Sequence, residues 1–151
     1  MTDERLYAKD WLNRMSNTIR LIESLETKRA EVLASLSGIG TYDAEFVPGN
    51  NGENVTESKN LEYSILSAKI DYQRQRLSKE DIRTLDVIGK IENSPKGQLM
   101  KSILIDRYLS RLSWGRIIKK QHYSESRIHE LHIAALDMIY PFVPKEVLDV
   151  Y

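Results

Sequence analysis

The apolar residues in the first third of the chain recur at helical spacing. Neither proline nor glycine occurs between Glu4 and Leu36. The apolar positions there follow steps of three, four or seven: Leu12, Met15, Ile19, Ile22, Leu25, Val32 and Leu36. This periodicity predicts one amphipathic helix with Thr2 or Asp3 as its N-cap. A helix about 50 Å long with so narrow an apolar stripe needs a partner to bury that stripe.

A second helical pattern runs from Glu57 to Asn93 and supplies that partner. The segment 37–56 before it is rich in glycine and asparagine, which predicts a flexible loop. A capping sequence at Ser78 indicates a break within this second helix. Two helices of similar length joined by a loop favour a long antiparallel helical hairpin.

The second helix carries two neighbouring apolar seams. The first consists of Tyr63, Leu66, Ile70 and Leu77, and the second of Leu61, Ile65, Ala68 and Tyr72. Two interpretations fit this doubling equally well: an ordinary wide core stripe, or a further surface for a second chain.

The run Ser94-Pro95-Lys96-Gly97 ends the second pattern, and we place a domain boundary there. Residues 1–95 are predicted to form the coiled-coil-like hairpin, and residues 96–151 a three-helix head with a short C-terminal tail. The predicted helices of the head are Gln98–Leu112, Trp114–Gln121 and Glu125–Tyr140, the last two capped by Ser113 and Ser124. No strand-like alternation stands out, so the expected fold class is all-α.

The last two of these helices have the proportions of a helix-turn-helix. A short helix, a tight turn and a longer helix with early polar residues are typical of that motif. Spacing predicts a buried face of Ile128, Leu131, Ala135 and Met138 on the longer helix. Only the N-terminal residues of such a helix reach base edges in the major groove, so the candidate base readers are Glu125, Ser126, Arg127, His129 and Glu130. The candidate phosphate contacts are Arg116, Lys119, Lys120 and Ser124.

The distribution of charge agrees with a polyanion partner. The chain holds 22 basic and 22 acidic residues, so its formal charge is zero. Residues 96–132, however, hold eight basic and three acidic residues and all three histidines. A basic block in a neutral protein indicates a candidate nucleic-acid footprint, and a solvated charged face is the alternative.

Composition removes several other classes of function. The chain has no cysteine, which excludes disulfides, thiolate metal sites and cysteine nucleophiles. His129, His132 and Glu125 have a spacing that suits a metal, but no fourth ligand is evident, so we expect neither metal nor cofactor. No catalytic constellation has a recognisable spacing, so we expect no enzyme activity. The charged opening residues and the lack of a long apolar run predict a cytoplasmic protein without membrane contact.

Five short runs in the head carry a family resemblance. They are LIDRYL at 104–109, LSW at 112–114, HYSESRI at 122–128, LH at 131–132 and AL at 135–136. Together they resemble the RinA/ArpU-like phage transcriptional regulators, whose C-terminal half is similar to region four of bacterial sigma factors. The resemblance implies a sequence-specific double-stranded-DNA-binding regulator of phage or prophage genes, located in the cytoplasm of a bacterial host. Host RNA polymerase is the protein partner that it implies.

The chain departs from the family pattern at several positions of the short helix and turn. Gly115 and Arg116 replace paired glutamates, Ile118 replaces a small alanine, and His122 stands where glycine is common. Two alternative functions therefore stay open: a small-terminase-like DNA-packaging protein, and a helical adaptor whose degenerate head no longer binds DNA. A single short helix-turn-helix binds weakly, so we expect a homo-oligomer, with a dimer favoured.

Overall fold

The computed structural model describes residues 1–40 and 51–145, and within these ranges the chain is helical and contains no strand. The all-α prediction is confirmed. The helices are α1 Asp3–Leu12, α2 Ser16–Gly40, α3 Asn51–Ile88, α4 Pro95–Leu104, α5 Trp114–Gln121 and α6 Glu125–Ile139. A π-helical turn, Ile105–Leu109, follows α4, and a 3-10 turn, Tyr140–Phe142, follows α6. No helix in the described ranges is both long and apolar enough to span a membrane.

The chain folds into two compact units. The first joins Met1–Ser16 to the residues from Ser78 onward, and the second is Asn17–Leu77. The boundary drawn from sequence, between residues 95 and 96, divides the chain differently. Helix α1 belongs to the first unit because Ala8, Trp11 and Leu12 are buried in one core with apolar residues of α4, α5 and α6.

The core of the first unit is centred on α6, which packs against α4 and α1. The buried face of α6 consists of Ile128, Leu131, His132, Ala135, Leu136 and Ile139. The predicted position of Met138 on this face is wrong, since Met138 is exposed. Leu136 and Ile139 continue the buried stripe at the helical period, which turns Met138 towards solvent.

The predicted continuous helix from Glu4 to Leu36 is interrupted at residues 13–15. The amides of Arg14 and Ser16 donate to the carbonyls of Trp11 and Asn13, at 3.2 and 3.0 Å. In both bonds the amide reaches the carbonyl three residues before it instead of four, and this change from the α-helical pattern separates α1 from α2. Leu12 and Met15, on either side of the break, are both buried, so the apolar spacing continues although the helix does not.

A buried ion pair fixes the interruption between α1 and α2 to the C-terminal part of α3. The Arg14 guanidinium donates to the Glu80 carboxylate at 3.2 Å and to the Glu80 carbonyl at 2.8 Å. It also donates to the carbonyl of Trp11 at 2.9 Å and lies 3.9 Å from the Trp11 ring centre. Removing one partner of a buried pair leaves an uncompensated charge, so these contacts hold the break in one geometry.

The second unit consists of parts of α2 and α3 that run antiparallel. Arg29 of α2 donates to Ser67 of α3, and further along α2, Ser35 accepts from Lys59. The apolar contact between the two helices buries Ile22, Val32, Leu66 and Ile70. Residues later in α2 contact residues earlier in α3, as the pairs Arg29–Ser67 and Ser35–Lys59 show, so the two helices are antiparallel.

The helices are longer than the sequence predicts around the segment 37–56. Residues 37–40 belong to α2 and residues 51–56 belong to α3, so the predicted loop is wrong for these ten positions. Residues 41–50 of the predicted loop lie outside the described residues. Extending an existing helix by one residue fixes only that residue's dihedrals and gains one hydrogen bond, whereas the first turn must fix several residues. Polar residues and glycines next to a helix are therefore readily added to it.

Helix α3 also differs from its prediction at Ser78 and at its C-terminal end. It continues through Ser78 without the predicted break and ends at Ile88 rather than near Asn93. The helix ends where the amides of Lys90 and Ile91 turn to the carbonyls three residues before them. Ile88 and Ile91 are both buried, so the chain reverses around them towards α4.

The first helix of the head begins earlier and ends differently than predicted. Helix α4 starts at Pro95, with Ser94 as its cap at 2.9 Å from the amide of Gly97. Its α-helical part ends at Leu104, and the predicted continuation to Leu112 is replaced by the π-helical turn. Single π-helical turns of this kind are frequent at functional sites.

Two glycines in the head have opposite environments, which gives a matched stability test. A Cβ at Gly97 would lie 1.9 Å from the carbonyl oxygen of Glu92, whereas a Cβ at Gly115 would meet no atom within 4 Å. We expect Gly97→Ala to destabilise the protein by about 1–3 kcal/mol through this clash. We expect Gly115→Ala to stabilise it by about 0.5–1 kcal/mol through helix propensity. Urea denaturation measures both changes, and equal effects of the two substitutions would contradict the structure.

Candidate nucleic-acid interface

The π-helical turn carries a buried carboxylate that holds the C-terminal end of α5. Asp106 is buried and accepts two hydrogen bonds from the Lys120 ammonium, at 2.8 and 3.0 Å. The side-chain amide of Gln121 donates to the same carboxylate at 3.3 Å and to Ser102 at 2.9 Å. The polar end of α5 is therefore tied to the preceding helix by charge-assisted hydrogen bonds.

The same turn reaches α6 through a buried tyrosine–histidine pair. The Tyr108 hydroxyl lies 2.6 Å from Nε2 of His132. Burial raises the pKa of Tyr108 to about 12. Burial, aided by the positive charge of Lys9, lowers the pKa of His132 to about 4. Both groups are thus neutral near pH 7, as a buried hydrogen-bonded pair requires.

Trp114, the first residue of α5, packs on the histidines of α6. Its ring centre lies 4.7 Å from that of His132 and 5.1 Å from that of His129. The Arg107 guanidinium lies 4.8 Å from the Trp114 ring and donates to the carbonyl of Leu112 at 3.1 Å. Sequence reasoning did not assign Arg107 a role, although the residue belongs to the LIDRYL run that carried the resemblance.

Both predicted caps around the turn are present. The Ser113 hydroxyl accepts from the amide of Arg116 at 3.3 Å, and the Ser124 hydroxyl accepts from the amide of Arg127 at 3.1 Å. Caps of this kind fix the first residue of a helix, so α5 and α6 begin where the sequence predicts.

Left-handed residues lie on both sides of α5. In the described ranges, the non-glycine residues with positive φ are Arg111 at 58° and His122 at 59°. Side chains with a Cβ adopt this region at a cost of about 1–2 kcal/mol. His122 takes the left-handed C-cap position that glycine most often occupies, and the chain still makes the tight turn into α6.

The candidate base readers occupy the first turns of α6, but they face different ways. Ser126 and Glu130 lie opposite the buried face and are exposed. Arg127 lies beside them and forms an ion pair with Glu130 at 3.4 Å. His129 lies on the other side, against Trp114, with its Nε2 3.8 Å from the carboxylate of Glu125. The outward group of α6 is therefore Ser126, Arg127 and Glu130.

The candidate phosphate contacts also separate into two kinds. Arg116 and Lys119 of α5 are exposed, and within the described residues their side chains form no ion pair. Lys120 already neutralises Asp106, and the Ser124 hydroxyl already caps α6. Of the four candidates, Arg116 and Lys119 are therefore the two that can meet an anionic ligand without loss of a contact among the described residues.

The exposed side chains of α5 and of the first turns of α6 are mostly charged or polar. Residues 114–130 hold four basic and two acidic side chains. Among the residues that the structure describes, no group of three or more histidine and carboxylate side chains is placed to hold a metal ion. His132, one of the three residues considered for a metal, is instead engaged by Tyr108.

The chain matches no protein-family model, and comparisons with curated proteins and with solved structures return no match.

The Tyr108–His132 pair predicts a specific pH dependence of stability. The ordinary pKa of histidine is 6.5, and His132 in the folded protein stays neutral down to about pH 4. Between these values the unfolded chain binds a proton that the folded chain does not, so stability is lost as the pH falls from 7 to 5. The expected loss at pH 5 is about 2 kcal/mol.

Urea denaturation at a series of pH values measures this loss. His132→Leu should flatten the curve between pH 7 and pH 5, whereas the neighbouring His129→Gln should leave the His132 contribution in place. A wild-type stability that is constant over this range would contradict the assignment.

Proposed function

We propose that the protein is a sequence-specific double-stranded-DNA-binding regulator of phage or prophage genes. In this proposal α5 and α6 form a helix-turn-helix, α6 enters the major groove, and the antiparallel pair α2–α3 is a hairpin for oligomerisation or partner binding. The observation that carries the proposal is the presence of two exposed cations on α5, Arg116 and Lys119, together with exposed polar residues at the start of the capped helix α6.

The arrangement around α6 supports insertion of its N-terminal end. Ser126 and Glu130 point away from the core, and Arg127 lies beside them. A guanidinium donates two hydrogen bonds to guanine, a carboxylate accepts from cytosine, and a hydroxyl bonds to either kind of edge. The buried face of α6 is fully used by the core, so docking would not require repacking.

The ion pair between Arg127 and Glu130 makes base binding by Arg127 an exchange of partners in this proposal. Arg127 is paired with Glu130 in the protein alone. Arg127 gives up or shares that partner when it binds a base, and the energy is regained only where the base offers acceptors in the right place. An exposed pair of this kind is worth about 0.2–1 kcal/mol, so giving it up costs little free energy.

The phosphate contacts supply affinity rather than specificity. Each cation that neutralises a phosphate releases condensed counterions, which makes binding dependent on salt. Arg116 and Lys119 project from α5, the helix that crosses the backbone in a helix-turn-helix. The resemblance to sigma region four adds host RNA polymerase as the proposed protein partner.

Selection of bound fragments from random duplex DNA tests the proposal. The whole protein should enrich one motif, and Arg127→Ala should lose that enrichment while it retains non-specific binding. A ring-sized assembly with an enriched motif would favour a packaging protein over a regulator. Absence of enrichment by a folded protein at about 50–100 mM salt would overturn the proposal in favour of the adaptor.

The two exposed cations predict a measurable change in salt dependence. Arg116→Ala/Lys119→Ala should weaken binding to every duplex alike, because the contacts are to phosphates. The slope of log affinity against log salt should become less steep by about 2. Fluorescence anisotropy measures it, and Lys28→Ala, which alters an exposed cation of α2, is the control that should leave the slope unchanged. Equal slopes for wild type and double variant would contradict the assigned contacts.

A further inference from the structure

The two apolar seams of α3 lie on opposite faces of the helix within the second unit, so their predicted position as neighbours is wrong. Leu66 and Ile70 are buried against α2. On the far side, Leu61, Ile65 and Tyr72 are 62%, 47% and 65% exposed, and Ala68 between them is exposed. We call Leu61, Ile65, Ala68 and Tyr72 the outer stripe. The structure excludes the wide-core interpretation of this second seam, since α2 does not cover it.

The spacing of the outer stripe is symmetric. Its members follow steps of four, three and four residues, which read the same in both directions along the helix. A copy of α3 related by a two-fold axis would therefore oppose Leu61 to Tyr72 and Ile65 to Ala68, each pair formed twice. A two-fold interface needs such a self-complementary patch.

The charges beside the outer stripe have the same symmetry. Glu62 and Lys69 are seven residues apart, so they border one edge of the stripe. Both are exposed, and within the described residues neither side chain forms an ion pair. In an antiparallel pair of copies, Glu62 of each copy faces Lys69 of the other. A parallel pair would instead place Glu62 near Glu57 of the other copy, and like charges disfavour that arrangement.

We infer that the protein forms a two-fold dimer through the outer stripe of α3, with the two copies of that helix antiparallel. The inference deepens the proposed oligomerising role of the hairpin but involves none of the residues proposed to contact DNA. The stripe is about 17 Å long. A contact of that length is smaller than a standard interface, so a dimer of micromolar affinity is expected.

Sedimentation equilibrium of the whole chain, from about 1 to about 200 µM, tests the dimer. Wild type should pass from monomer to dimer in this range. Ile65→Ser should abolish the dimer without loss of helix content, because Ile65 is not part of the buried contact with α2. Leu33→Ser is the matched control: Leu33 is 51% exposed on α2 and should leave the dimer intact.

A charge exchange tests the antiparallel arrangement. Glu62→Lys and Lys69→Glu should each weaken the dimer about five- to tenfold, since each introduces two like-charge contacts. The double exchange E62K/K69E should restore the affinity to within about threefold.

Three outcomes overturn the inference: a monomer at every concentration, a dimer insensitive to Ile65→Ser, or no restoration in E62K/K69E. The proposed DNA binding is read separately. If Ile65→Ser is monomeric and still binds duplex DNA weakly in a salt-dependent way, the dimer stands with the proposed function. If wild type dimerises but binds no DNA, the dimer stands and the proposed function fails.

Discussion

The π-helical turn Ile105–Leu109 holds both helices of the candidate interface. Asp106 secures the end of α5 through Lys120 and Gln121, and Tyr108 secures α6 through His132. Residues two positions apart on a helical turn point to nearly opposite sides, so Asp106 and Tyr108 contact two different helices. The geometry that α5 and α6 present to a partner depends on these contacts.

The first unit uses buried polar groups at its junctions rather than in the middle of its core. Arg14 and Glu80 join the break after α1 to α3, and Asp106 and His132 join the three helices of the head. Such groups contribute little net stability compared with apolar residues of the same volume. They exclude alternative arrangements instead, because any other packing would leave a buried charge or donor without a partner.

What the sequence predicts well here depends on local interactions. Ser113 and Ser124 begin α5 and α6 as expected, since a cap involves a hydroxyl and an amide three residues apart. The predicted tight turn between α5 and α6 is likewise present at His122, because the Ser124 cap determines where α6 begins. These signals require no knowledge of the packing between helices.

What the sequence misses depends on contacts between distant segments. The break at residues 13–15 is invisible to periodicity because Leu12 and Met15 keep helical spacing. The contact that holds it joins Arg14 to Glu80, 66 positions away. Lys120 was expected to bind phosphate, and the structure pairs it with Asp106 because the π turn brings that carboxylate to α5. Which cations remain available to bind phosphate depends on the packing between helices, which the sequence pattern does not show.

The most direct test of the proposed interface is a map of amide chemical shifts on addition of a duplex DNA. If α5 and α6 bind DNA as proposed, shifts will concentrate on residues 114–130, and the largest will fall near Arg116, Lys119 and Arg127. The amides of α2 will change little, because α2 carries none of the residues proposed to contact DNA or the second copy. Shifts confined to residues 17–77, or no shifts at about 50 mM salt with a folded protein, would contradict the account.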